Sequence, residues 1–221
     1  MVDYRGSRTG VALALAACAI AGLATPARSG WTFEMHGGAP LVPDRVVHIT
    51  QAGFPDLDID GRMRSEPHEM PFYYDFRLIR WGARHGWALD FLHHKLILDN
   101  PPPEVQDLQF THGYNMVSLQ RLWRVSDYVL MAGAGVVLTH VESTVRGRVF
   151  DQHQGVFGWG YYVSGPLAVV GVGRRLDLGE RFYLSGDVRA SWSHVDVDVV
   201  DGGASMTDVG LHFLAGAGAR F

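Results

Sequence analysis

Apolar residues alternate with small or polar ones through the last stretch of the chain. Val209, Leu211, Phe213, Ala215, Ala217, Ala219 and Phe221 occupy one set of positions, and Gly210, His212, Leu214, Gly216, Gly218 and Arg220 the other. In a strand successive side chains point to opposite faces, so one face here is apolar throughout and suits lipid, while the other suits a narrow lumen. Residues 181–197 repeat the pattern, with Phe182, Leu184, Val188, Ala190 and Trp192 opposed by Tyr183, Ser185, Asp187, Arg189, Ser191 and Ser193. The phase changes at His194-Val195, which predicts a bulge. Further strands are predicted at 159–174, 127–142, 107–122, 87–98, 72–82 and 31–37, making eight with the two already described.

An even strand number puts both chain ends on one side, and the connections divide accordingly. Segments 83–86, 123–126 and 175–180 are short and belong on the periplasmic side. Segments 38–71, 99–106 and 143–158 are longer on average and belong outside, with 198–206 as a modest outer loop. Segment 38–71 carries five prolines (Pro40, Pro43, Pro55, Pro67 and Pro71) yet has room for a strand at Arg45–Thr50, and it reads as an outer extension of the barrel. The pattern therefore predicts an all-β fold over residues 30–221, an eight-stranded antiparallel transmembrane β-barrel of the outer-membrane type. A soluble β-sandwich is the alternative, and it would need a second sheet to cover the apolar faces of 182–192 and 209–221.

The N-terminal residues change the picture by adding export. Arg5 and Arg8 precede an apolar run from Val11 to Leu23, followed by Ala27-Arg28-Ser29, the layout of a signal peptide over residues 1–29 cleaved before Gly30. Leu15-Ala16-Ala17-Cys18 offers a lipoprotein alternative, with Cys18 acylated. The run is shorter than the ~20 residues a spanning helix needs. Cleavage takes away Arg5, Arg8, Arg28 and Asp3, which moves the formal charge from −4 to −6, and removes the single cysteine. A mature chain without disulfides is compatible with a barrel, whose backbone is satisfied between strands. Twenty-seven glycines and ten prolines fit strands and turns better than long helices. There is no basic patch of the kind nucleic acid requires. A terminal Phe221 closing an alternating strand resembles the last strand of bacterial outer-membrane barrels, which implies recognition by the barrel assembly machinery. The expected location is the outer membrane, with lipopolysaccharide as neighbour and the chain as a monomer.

Eight strands enclose a lumen that side chains fill, which argues against a general pore. Of eleven histidines only His85 falls on the periplasmic side. The rest gather toward the outer leaflet, with His48, His68 and His153 in outer loops. That distribution points to a metal or acid–base site there. Asp90, His94, His112, His140 and Glu142 are its candidate catalytic residues, and His94, His140 and Glu142 are the candidate ligands for a divalent metal, because imidazole with carboxylate suits both metal binding and proton transfer. The alternative is that inward polar residues only fill the lumen. If Trp87, Leu89 and Phe91 face lipid, Asp90 and His94 face inward and His93 outward, toward headgroups. His140-x-Glu142 shares one strand face. Asp75 with Arg77, and Asp187 with Arg189, read as lumen ion pairs. Trp31, Trp81, Trp123, Tyr128 and Phe221 gather near periplasmic strand ends as an interfacial girdle. Ser191-x-Ser193-His194 resembles, loosely and in reverse order, the His-x-Ser of outer-membrane lipid A deacylases.

Several stretches resemble a family of small alphaproteobacterial outer-membrane barrels that includes the rhizobial lipid A oxidase. They are Trp87–Lys95, Phe110–Asn115 with His112-Gly113-Tyr114-Asn115 inside it, Gly133–Val136 with Thr139-His140-Val141-Glu142, and Gly202-Gly203 followed by Thr207-Asp208. The resemblance implies oxygen-dependent, metal-assisted oxidation of the proximal glucosamine of lipid A to an aminogluconate unit. A non-catalytic barrel, structural or ligand-binding, is the second class of function, and a lipid A deacylase the third.

Overall fold

The computed structural model describes residues 30–150, 155, 156 and 158–221, so the expected signal segment and His153 lie outside the described residues. Thirteen strands follow in chain order: β1 (Gly30–Leu41), β2 (Arg45–Gln51), β3 (Leu57–Gly61), β4 (Met63–Arg64), β5 (Tyr74–Trp81), β6 (His85–Leu98), β7 (Val105–Val125), β8 (Tyr128–Thr139), β9 (Glu142–Val145), β10 (Arg148–Phe150), β11 (Tyr162–Asp177), β12 (Phe182–Val199) and β13 (Gly202–Arg220). Eight of them close a ring in the order β1-β5-β6-β7-β8-β11-β12-β13, every neighbour antiparallel, with β13 returning to β1 from Thr32↔Arg220 to Leu41↔Leu211. The remaining five extend the wall outward. β2 continues along the edge of β13 beyond β1, with β3 beside it. β9 continues along β7 beyond β8 and carries β10, while β4 flanks the outer end of β6.

The ring agrees with the eight expected strands, and the differences lie at strand ends, most of them on the outer side. The suspected strand in 38–71 is β2. The expected loop 198–206 is a tight hairpin in which β12 and β13 are joined through Val200 and Asp201, the latter at φ 57. Gly202 follows because a Cβ there would collide with the Thr50 carbonyl of β2. The segment 127–142 is broken at His140-Val141. Trp123–Val125 and Arg175–Asp177, expected in turns, continue their strands.

No bulge interrupts β12: its side chains alternate from Phe182 to Val199, and its register with β13 is unbroken. What changes at His194 is the polarity of each face. Up to Ser193 the outward residues include Phe182, Leu184 and Trp192 and the inward ones Ser185, Asp187, Arg189 and Ser191; beyond it His194, Asp196 and Asp198 face out and Val195, Val197 and Val199 face in. A wall in hydrocarbon needs an apolar exterior, whereas a wall in water needs an apolar interior. The inversion therefore marks where β12 leaves the membrane.

The interior follows the same logic in three layers. Ile79, Trp81, Ala88, Leu122, Val129 and Met131 form a small apolar cluster toward the periplasmic end. A much larger apolar core, including Val47, Ile49, Leu96, Leu108, Phe110, Val195 and Met206, fills the outer extension. Between them lies an ionic layer. Arg77 contacts Glu34 at 3.2 Å, Asp90 at 2.9 Å and Asp187 at 3.0 Å. Arg189 contacts Asp75 at 2.6 Å and both Asp90 and Asp187 at 2.9 Å. Arg175 reaches Glu34 at 2.8 Å and Asp187 at 2.6 Å. Thus Asp187 does pair with Arg189, but Asp75 is matched to Arg189 across the lumen instead of to Arg77 on its own strand. A charge inside lipid is tolerated only when compensated, and here each guanidinium bridges at least two carboxylates.

The exterior is apolar around the ring, with Phe33, Met35, Leu78, Leu89, Leu119, Leu130, Val170 and Leu184 all exposed. Trp31, Trp123, Tyr128 and Phe221 ring its periplasmic end as expected. Trp81 does not join them: it points inward and closes the lower cluster. Arg80, Arg121 and Arg174 lie over Trp31, Trp87 and Tyr128 at 5.5, 5.0 and 5.8 Å, placing cations beside the girdle at the headgroup level. A closed ring, an apolar belt and an aromatic girdle together make an outer-membrane-type barrel, located in the outer membrane.

Two outcomes follow from this layering. Arg77→Met takes one of three guanidiniums from a layer of four carboxylates and leaves Asp90 with Arg189 alone, which should lower the stability of the barrel by about 3–5 kcal/mol, read from its urea unfolding midpoint; Asp58→Asn, which breaks the exposed His48–Asp58 pair, should change it by less than about 1 kcal/mol. Leu119→Arg, in the middle of the belt, should cost about 2–4 kcal/mol, whereas Asp196→Arg, above the inversion, should leave the midpoint within about 0.5 kcal/mol of the parent.

Candidate functional site

The break between β8 and β9 creates the site. β7 pairs with β8 as far as Tyr114↔Thr139 and resumes with β9 at Gln109↔Glu142. Across the gap Gly113 has φ 142, a value that favours glycine, and a Cβ there would run into the Asn115 side-chain amide. The His140 amide donates to the Gly113 carbonyl at 3.1 Å and holds the two segments together. Thr139, Val141 and Ser143 point into the core, so His140 and Glu142 point outward. His112, exposed, stands beside them on β7.

One ligand atom from each of His112, His140 and Glu142 lies within 4.8 Å of the others. His112 Nδ1 contacts Glu142 Oε1, and Gln109 Nε2 donates to Glu142 Oε2 at 3.1 Å. Tyr161 touches both histidines, His112 through its backbone and His140 through its ring. Its hydroxyl donates to the His112 carbonyl at 2.7 Å, and its ring meets His140 edge-on at 5.5 Å. Burial raises the Tyr161 phenol above its ordinary pKa, against an opposing hydrogen bond with Asn115, so it remains a donor at neutral pH. Asn115 in turn accepts from His93 Nδ1 at 2.7 Å, and His93 stacks on Tyr74 with centroids 4.8 Å apart. The register Tyr74↔His93↔Asn115↔Leu138↔Val163 runs along the wall just below the cluster. Phe76, Phe91, Val117 and Val136 occupy the next outward positions toward the belt. The cluster therefore stands on the outer wall at the upper edge of the apolar band.

Three of the five expected catalytic residues thus come together, and two do not. Asp90 and His94 lie on the other face of the wall. Asp90 is bound to Arg77 and Arg189 in the ionic layer. His94 is buried edge-on to Tyr114 at 5.0 Å and His212 at 5.5 Å. Of the expected ligand set His94, His140 and Glu142, only His140 and Glu142 come together, and His112 stands with them where His94 was expected. Tyr161, Gln109 and Asn115 did not figure among the candidates, and His93 enters through Asn115. The His112-Gly113-Tyr114-Asn115 stretch was the available signal, because its glycine permits the strand break.

The lumen holds hydrogen-bond chains that resemble nucleophilic catalysis in geometry. Ser185 Oγ is 2.8 Å from His36 Nε2, and His36 Nδ1 donates to Asp75 at 2.6 Å. Ser191 Oγ is 2.8 Å from His212 Nε2, whose Nδ1 is 3.0 Å from the Tyr73 hydroxyl. Ser185, His36 and Asp75 are 6%, 2% and 0% exposed, and Arg189 already holds both oxygens of Asp75. These chains satisfy buried polar atoms in a filled barrel. The expected Ser191/Ser193–His194 grouping does not form. His194 faces out and bonds Thr207, whereas both serines face in.

No protein-family model and no curated protein matches the chain. Among solved structures it is similar to Ail, the attachment invasion locus protein of Yersinia pestis, at 12% identity and TM-score 0.42 over 88% of this chain and 100% of that one. It is similar also to the outer membrane protein OprG from Pseudomonas aeruginosa, at 14% identity and TM-score 0.48 over 88% and 97%. The outer membrane protein AlkL is similar at 15% identity and TM-score 0.45 over 91% and 94%. Assignment of this chain to the outer membrane rests on its own closed ring and apolar belt, and these likenesses carry no activity over to it.

Proposed function

We propose that the protein modifies lipid A in the outer leaflet, oxidising the proximal glucosamine to an aminogluconate unit at a divalent metal held by His112, His140 and Glu142. One observation carries the reading: a cluster of metal-ligating side chains faces outward at the upper edge of the belt. Acyl chains of a lipid lying along Phe76, Phe91, Val117 and Val136 would bring its sugar to that height. Two imidazoles and one carboxylate within 4.8 Å of one another fit a divalent transition metal with open positions, the donor set associated with oxygen chemistry. When bound, such a metal supplies a redox centre at which oxygen and the sugar meet. In balance, the anomeric C1–OH gives up two electrons and two protons, dioxygen takes them up as hydrogen peroxide, and water opens the resulting lactone. The chain's own residues position the ligands: Tyr161 holds the backbone of His112 and packs its ring on His140, and Gln109 holds the second oxygen of Glu142.

Lipid A from cells expressing the protein should be heavier by one oxygen atom in its proximal sugar, and cells expressing His140→Ala with Glu142→Ala should lack that species. The comparison is made by mass spectrometry after heat-modifiability gels show both barrels folded. Unchanged lipid A with the parent protein would leave a structural or binding barrel as the function. Gln109→Leu removes the donor to Glu142 Oε2 and should weaken metal binding roughly 10–100-fold without changing the folded fraction, measured by titrating Mn²⁺ into the purified barrel.

A further inference from the structure

On the lipid-facing wall near the periplasmic end, one register row crosses four adjacent strands as Trp31 of β1, Arg80 of β5, Trp87 of β6 and Arg121 of β7. It stands at the opposite end of the apolar belt from the His112–His140–Glu142 cluster and takes no part in the chemistry proposed there. Trp31, Arg80 and Trp87 are exposed and Arg121 is half-buried, whereas their neighbours along the strands, Ile79, Ala88 and Leu122, fill the lower interior cluster. All four side chains of the row therefore point away from the lumen. The next row outward on the same four strands, Phe33, Leu78, Leu89 and Leu119, is wholly apolar and exposed.

The two guanidiniums are oriented but not neutralised. Arg80 lies over the Trp31 ring at 5.5 Å and Arg121 over the Trp87 ring at 5.0 Å. No carboxylate stands in the row, and none among the described residues pairs with either arginine. Arg174, the third cation of the girdle, differs: it lies over Tyr128 but is bound to Asp127 at 3.2 Å. Each of the two unpaired arginines leans toward the tryptophan that precedes it in the row, so their forks stand side by side two strand spacings apart, about 10 Å. An aromatic face fixes the plane of a guanidinium and leaves its N–H fork for an oxyanion, which phosphate matches with two parallel hydrogen bonds. Two uncompensated charges at the edge of hydrocarbon require a counter-charge from their surroundings, and at this height the surroundings are the headgroups of the periplasmic leaflet.

From this row we infer that the barrel carries a binding site for an anionic phospholipid of the periplasmic leaflet. The lipid phosphodiester is held by Arg80 and Arg121 on either side of Trp87, and its acyl chains run outward along Leu78, Leu89 and Leu119. A zwitterionic headgroup fits less well, because the row offers no carboxylate to receive its ammonium. A soluble phosphate ester lacks the chains that the apolar row would cover.

The test is native mass spectrometry of the full barrel in neutral detergent, titrated with phosphatidylglycerol and, separately, with phosphatidylcholine of the same acyl chains. Saturable binding of phosphatidylglycerol is expected, tighter than that of phosphatidylcholine by roughly tenfold or more. Arg80→Gln with Arg121→Gln, shown to be folded by heat modifiability, should abolish that difference between headgroups. Arg174→Gln should bind phosphatidylglycerol as the parent does, and an equal concentration of glycerol 3-phosphate should not displace the lipid. The headgroup comparison is made on the parent barrel and stands whether or not the double variant folds. The inference is overturned if the parent retains both lipids alike, if the folded double variant keeps the preference, if Arg174→Gln weakens binding as much as the double variant does, or if glycerol 3-phosphate displaces the lipid.

Discussion

Closure of the ring between β1 and β13 is the contact on which the rest of the structure depends. In hydrocarbon an unpaired backbone amide or carbonyl costs several kcal/mol, and a sheet with two open edges would leave a whole row of them. Pairing from Thr32↔Arg220 to Leu41↔Leu211 removes both edges at once. It also fixes the barrel at eight strands, and eight strands leave a lumen only wide enough for side chains. The inward positions of β1, β5, β6 and β12 then had to be filled, and they carry Glu34, Arg77, Asp90, Asp187 and Arg189. Their mutual bridging is what makes a charged lumen tolerable, because any one of these charges alone would be left without solvent.

Beyond the membrane the same wall faces the opposite demand. Once β12 passes Ser193, water lies outside, and Val195, Val197 and Val199 turn the interior into an ordinary apolar core. The added strands β2, β3, β4, β9 and β10 widen that core and pair most of the wall above the belt. Because β1 and β2 share one edge of β13, β8 and β9 one edge of β7, and β5 and β4 one edge of β6, the described wall has three places where one strand ends and another begins. One of those places, at His140-Val141, carries the outward cluster. A strand break frees side chains from strict alternation with their neighbours across the ladder, which is what lets His112 of β7 meet Glu142 of β9.

Legibility from sequence follows the same division. Within the membrane, strict alternation in β12 and β13 announced strand, lipid face and lumen face together, and the ring of eight followed from counting. At the boundary the same signal became ambiguous. A bulge and an inversion of polarity both move apolar residues from one parity to the other, so Val195 and Val197 suggested a bulge where the strand is unbroken. Trp81 shows a related limit: tryptophan near a strand end reads as an interfacial anchor, but parity sends it inward. Asp90 and His94 were placed inward correctly by the parity of Trp87, Leu89 and Phe91. Their separation from His140 and Glu142 was not legible, because it depends on which side of a two-residue break each side chain leaves the wall.

The filled lumen also decides where chemistry can take place. Ser185–His36–Asp75 has the hydrogen-bond sequence of a nucleophilic site, yet its members are buried and Asp75 already holds a guanidinium, so geometry without access gives stability rather than turnover. Reactive groups on a narrow barrel become useful only where the wall meets lipid, or at the ends where the filling stops. The His112–His140–Glu142 cluster occupies the first kind of place. On the proposed reading its substrate arrives in the plane of the membrane, since the cluster stands on a convex wall just above the apolar belt.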